Sequence, residues 1–182
     1  MSDAEEHLRE ENRLLHERIK VLESQLAFLN RHAALTAGIT GEALIRDLST
    51  GALTKYGESF DLLTKTGAKI EVKYSDLNAP VSNASTRRWA WGKIFGESGA
   101  KDFDAMVLVG VKDPRYSSQY KDQQSPYVIF VVPRDKLDPL VIQNGRTRSI
   151  NLTTNPAKAR SAAAPLYHSY QVTEAELKVL LA

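Results

Sequence analysis

The sequence predicts an α/β protein with an N-terminal coiled-coil helix, and three features point there. Leucine recurs every seven residues near the start. An alternation of charged and apolar residues then folds about a turn signal at 65–67. Two apolar runs, 103–111 and 127–132, have the composition of strands buried on both faces. The expected order is helix, helix, hairpin, helix, strand, strand, with short helices near the end.

The heptad comes first in the chain. Leu8, Leu15, Leu22 and Leu29 fall at position d, and Glu5, Asn12, Ile19 and Leu26 at position a. Leucine at d, with β-branched Ile19 and a single Asn12 at a, favours a parallel two-stranded coil. Between copies, Arg18 at g faces Glu23 at e, and Glu11 faces His16. Residues 1–35 are therefore expected to form a homodimer; a single amphipathic helix packed on its own domain is the alternative. Gly38 is expected to stop this helix, and a second to run over 40–48. Residues 36–182 make the remaining domain.

The hairpin carries the chemistry. Leu62 and Leu63 precede the turn signal Lys65-Thr66-Gly67, and Glu71-Val72-Lys73 follow it. Alternation puts Glu71 and Lys73 on one face and Ile70 and Val72 on the other. Gly67 can take the positive φ that a three-residue loop needs. Folding about Thr66 brings Asp61 opposite Glu71 to within one register step. Facing carboxylates have Cβ atoms about 4.5–5.5 Å apart and repel each other. A hard divalent cation with oxygen ligands removes that penalty, and Lys73 then lies where it can orient a water. An exposed hairpin with ordinary surface charges is the alternative reading.

The pattern Asp61-x9-Glu71-x-Lys73, with Gly41-Glu42 on the helix upstream, resembles the signature of the PD-(D/E)XK nuclease superfamily, the fold of many restriction endonucleases. Phe60 stands where the family's proline would be. The resemblance implies a restriction-endonuclease-like mixed central sheet flanked by helices, and Mg²⁺ as cofactor, with Mn²⁺ as a substitute. It implies that Asp61, Glu71 and the Val72 carbonyl hold the ion, with Glu42 as a third acidic ligand. Lys73 would position the attacking water, and the product would carry a 5′-phosphate. For Glu42 the alternative is a solvated first-turn glutamate favoured by the helix dipole.

Downstream, 76–85 is a loop, and 86–95 is expected to be helical. Arg87, Arg88 and Lys93, interleaved with Trp89 and Trp91, suit phosphate contacts and stacking on unpaired bases. Core tryptophans are the rival reading. Residues 134–160 hold six basic groups against two acids, among them Arg146, Arg148, Lys158 and Arg160, a second candidate surface for DNA. Asn155-Pro156 is expected to open an Ala-rich helix. Thr173-x-x-Glu176 is a capping box that opens the last helix.

Composition sets the outer bounds. The 182 residues support one compact domain with an appendage, and 42% apolar residues suffice for a core. There is no cysteine, which excludes a disulfide framework and a thiolate metal site. No apolar stretch approaches a membrane span, and the acidic start lacks a signal peptide's features, so a soluble cytoplasmic protein is expected. Residues 1–36 carry five basic and seven acidic groups, leaving 19 basic and 15 acidic elsewhere. That modest surplus suits a phosphate-backbone partner. Small size, spacing and dimerisation resemble compact dimeric type II restriction endonucleases. A junction resolvase, a catalytically silent DNA-binding module and a coiled-coil adaptor are the other readings.

Overall fold

The computed structural model describes residues 3–31, 33–49, 51–54, 58–79, 85–96, 101–144, 147–159 and 162–182. The chain divides into two compact units, Met1–Thr36 and Ala37–Ala182. The first is dominated by helix α1 (Asp3–Arg31). Its leucines at d that can be described, Leu8, Leu15 and Leu22, are all more than half exposed, as is Ile19 at a. Leu14 and Val21, outside the a/d seam, are equally exposed, so the uncovered apolar strip is wider than the heptad alone indicates. No described helix is long and apolar enough to cross a membrane.

Helix α2 (Ala33–Leu48) differs from expectation. It begins well before residue 40 and passes through Gly38, which does not end a helix. A lone glycine costs only about 1 kcal/mol within a helix, and the apolar pattern on either side continues through it.

The second unit is built on a mixed six-stranded sheet in the order β1-β2-β3-β5-β6-β9. Its strands are β1 (Ala52–Leu53), β2 (Leu62–Leu63), β3 (Lys69–Ser75), β5 (Ala105–Val111), β6 (Tyr127–Pro133) and β9 (Gln171–Val172). β3 and β5 run parallel, and the other neighbours are antiparallel. A separate three-stranded sheet, in the order β4-β8-β7, comprises β4 (Arg88–Trp91), β8 (Thr147–Thr153) and β7 (Ile142–Asn144).

Alternation along β5 explains the layering. Val107 and Val109 point to one face, where Ile45 of α2 and Leu177 and Leu181 of α3 (Glu174–Leu180) and its end close a core with Ile70 and Val72. Met106 and Leu108 point to the other, against Trp89, Trp91, Ile150 and Leu152 of the small sheet. A strand buried on both sides must be apolar at every position, which is why 103–111 and 127–132 were legible as strands.

The expected helix over 86–95 is absent. Arg88–Trp91 is a strand paired with β8, because Trp89 and Trp91 obey a period of two. Both rings are buried, Ala90 between them is exposed, and the indole N–H groups donate to the Val111 and Val109 carbonyls at 2.8 and 2.9 Å. The tryptophans are core residues and do not offer rings for base stacking. Pro156 opens only a short 3₁₀ turn, Pro156–Lys158, in place of the Ala-rich helix, although Asn155 caps it through the Ala157 N–H. The capping box at Thr173 and Glu176 forms in full.

Candidate functional site

The hairpin sets the site. Its register pairs Leu62 with Ile70 and Leu63 with Lys69, which places Asp61 across from Glu71. The first arm is only two residues long, but backbone bonds extend the pairing at both ends, from Asp61 N–H to the Ile70 carbonyl and from Thr64 N–H to the Ala68 carbonyl. Gly67 adopts φ 87°, the left-handed conformation that lets a three-residue loop close.

Beyond Asp61 the strands diverge, and its carboxylate accepts the Val72 N–H at 2.7 Å. In an extended strand the N–H and C=O of one residue point to the same side. The Val72 carbonyl therefore faces the same open edge as Asp61.

Glu71 is 0% exposed. Its Oε1 accepts from Lys73 Nζ at 2.5 Å and also from Lys101 Nζ. Its Oε2 is buried without a hydrogen-bond partner among the described residues. Burial pushes the Glu71 carboxyl above its ordinary value, outweighing Lys73, and the charge of Asp61 adds to the shift.

Glu42 reaches the same electrostatic neighbourhood from α2. Gly41 is what allows it: a Cβ there would lie 2.8 Å from the Tyr74 Cβ, so only glycine lets the helix lie this close on β3. Burial raises the Glu42 carboxyl, and the charges of Asp61 and Glu71 raise it further. The Gly41-Glu42 pair thus has a physical reason for its order.

Among the described residues, no three acids or histidines stand close enough to hold a metal ion as they are. The lysines occupy Glu71 in their place. The donor set still fits a hard divalent cation in kind, with carboxylates from Asp61 and Glu71, the Val72 carbonyl facing the same edge, and one buried oxygen left unmatched. Lys73 and Lys101 have about a fifth to a quarter of their side-chain surface in solvent, and each sits on a flexible stem.

Lys101 has no signal in the sequence. The parallel pairing of β3 with β5, Glu71 against Met106, brings the segment before β5 to Glu71 across thirty positions, and no local pattern encodes that approach.

The expected DNA contacts separate into two places. Arg87 and Arg88 lie at the start of β4, where both are part-buried and Arg88 Nε has no partner among the described residues. Lys93 is exposed past its far end, roughly 15 Å along the chain at about 3.3 Å per residue. Arg148 adjoins Lys93, since its carbonyl accepts the Ile94 N–H at 3.1 Å. Arg146 lies outside the described residues. No protein-family model matches the chain, and no curated protein matches it either.

Proposed function

We propose that the chain is a Mg²⁺-dependent DNA endonuclease that hydrolyses phosphodiester bonds, acting as a dimer in the manner of a type II restriction enzyme. The observation that carries this reading is the state of Glu71. It is fully buried, faces Asp61, holds two ammonium groups on one oxygen and leaves the other unmatched. Buried polar atoms are seldom left so, and buried carboxylates with shifted titration beside lysines are a recurrent mark of functional sites.

Asp61, Glu71 and the Val72 carbonyl would hold the ion, with Glu42 as a further acidic ligand. When bound, Mg²⁺ supplies neutralisation of phosphate charge and acidifies a nearby water. Lys73, freed from Glu71, orients the attacking water and stabilises the negative charge that builds on the phosphate. Lys101 supplies a second positive charge at the same point. The water oxygen bonds to phosphorus as it gives up a proton, the bond to O3′ breaks, O3′ takes a proton from solvent to leave as a hydroxyl, and the product keeps a 5′-phosphate.

A second reading has one observation in its favour. Lys73 and Lys101 already neutralise Glu71, which suits a catalytically silent DNA-binding module. Cation binding separates the two. Glu42 and Glu71 titrate above the ordinary 4.5, so the folded state holds more protons than the unfolded state just above that pH. Their contribution to stability is fully present below 4.5 and is lost as pH rises through the raised values. A cation must displace those protons. Mg²⁺ is therefore expected to raise the Tm more at pH 8 than at pH 5, and Asp61→Asn should shrink the pH 8 shift. Equal shifts at both pH values, or none, support the silent module.

The exposed stripe on α1 supports dimerisation, with Leu8, Leu15, Ile19 and Leu22 closing against a second copy. Deleting residues 1–32 is expected to convert a dimer into a monomer by light scattering. A truncated chain that remains a dimer removes the coiled-coil assignment.

A further inference from the structure

Outside the carboxylate site, two arginines from different elements converge on one ring. The Arg134 guanidinium carbon lies 4.1 Å from the centroid of Phe95 and 5.3 Å from that of Phe103. The Arg148 guanidinium lies 5.3 Å from the same Phe95 centroid. Arg134 follows β6 of the central sheet and Arg148 belongs to β8 of the small one. Phe95 itself is buried.

Two cations on one ring repel each other, and among the described residues neither is in an ion pair. The acids nearby are engaged elsewhere. Asp135 pairs with Lys136 at 2.9 Å, Asp102 with Lys69 at 2.5 Å, and Asp104 accepts the Lys69 backbone N–H at 2.8 Å. Stacking on an aromatic ring fixes the plane of a guanidinium while leaving its N–H edges free, the arrangement that accepts a phosphate in bidentate fashion.

A short chain of neighbours leads from the pair to the carboxylate site. Phe95 precedes Gly96, on which a Cβ would meet the Lys101 stem at 3.1 Å. Lys101 carries its ammonium to Glu71. Lys93, exposed in the same turn, extends the positive surface.

We propose that Arg134 and Arg148, held on Phe95, form a clasp for a backbone phosphate of nucleic acid flanking the Glu71 site. This rests on the nucleic-acid reading above, and it adds Arg134, which no sequence pattern singles out. The competing account is that both arginines only shield Phe95 and Phe103 from water. That account requires no effect on binding once folding is intact.

The test uses the full chain in EDTA, so that no cleavage intervenes. Anisotropy of a labelled duplex is titrated across a salt series for the wild type, the Arg134→Gln/Arg148→Gln double variant and Lys65→Gln, a single-charge control on the hairpin loop. The double variant is expected to bind about tenfold or more weaker. Its slope of log affinity against log salt should fall by about one, since about 0.9 is lost for each phosphate no longer neutralised. Lys65→Gln should match the wild type. An Arg134→Lys/Arg148→Lys variant keeps charge and ring cover but loses the planar fork. It should bind with an intermediate affinity, and it serves if the glutamine variant does not fold. Arginine variants that bind like Lys65→Gln overturn the clasp and leave the nuclease reading standing. A wild type that binds no nucleic acid overturns both.

Discussion

Lys73→Ala is expected to lower kcat for DNA cleavage on the order of 10²–10³-fold, about 2.7–4 kcal/mol of transition-state stabilisation, while affinity for uncleaved DNA stays nearly unchanged. The asymmetry follows from the placement of Lys73. It sits two residues after Glu71 on the same face of β3, with its ammonium on a carboxylate that is wholly removed from solvent. It is one charge at the point of reaction, set apart from the arginines that would grip the backbone. Removing it also leaves Glu71 with Lys101 alone, so the carboxylate keeps one partner and the fold survives. Single-turnover kinetics beside anisotropy in Ca²⁺ or EDTA check this. Equal losses in binding and cleavage would make Lys73 a general phosphate contact, and undiminished cleavage would remove it from the chemistry.

The largest expected effect on stability is at Trp89. Its ring packs against Trp91, Tyr120, Phe130 and Tyr167, with centroids 5.7–6.5 Å apart across the cluster. It also lies flush on Gly110 of β5, where an added Cβ would come 2.5 Å from the indole nitrogen. This ring joins the small sheet to the central one. Trp89→Ala removes the packing, opens a cavity and strips the Val111 carbonyl of its indole donor, and is expected to cost about 3–5 kcal/mol. That is a large fraction of the roughly 5–15 kcal/mol by which domains are stable. Urea unfolding followed by near-ultraviolet circular dichroism reads it directly. A loss below about 1 kcal/mol would mean that the sheets are not held together here. A variant that retains the central sheet while losing the small one would also lose the turn that carries Lys93 and Phe95.

What was legible in the sequence follows from range. The hairpin register could be read because Lys65-Thr66-Gly67 closes locally and Gly67 supplies the one positive φ required. Strands β5 and β6 could be read because both of their faces are buried, so no position is free to be polar. The segment 86–95 reads as a helix from sequence because its alternation spans only four residues, and a basic-aromatic mixture resembles a helix face when the partner strand is unseen. That partner, β8, lies some sixty residues away. Gly38 misleads because a glycine ends a helix only where the chain has reason to turn. Lys101 has no mark in the sequence, and Arg134 figures there only as one of six basic residues over 134–160, for one cause: each reaches its place through pairing of the central sheet. Gly41 and Glu42 stand out through the resemblance, and the close approach of α2 to β3 supplies the physical reason for the glycine.

The most direct test of the phosphodiesterase account is incubation of supercoiled plasmid and a labelled four-way junction with the purified chain, in Mg²⁺ and in EDTA. The account predicts Mg²⁺-dependent conversion of plasmid to nicked or linear DNA, ends carrying 5′-phosphate, and no conversion in EDTA. Cutting of the junction alone would keep the chemistry and move the substrate to branched DNA. DNA that is bound but left intact in both Mg²⁺ and Mn²⁺ would contradict the account and leave a binding module in which Lys73 and Lys101 hold Glu71 permanently.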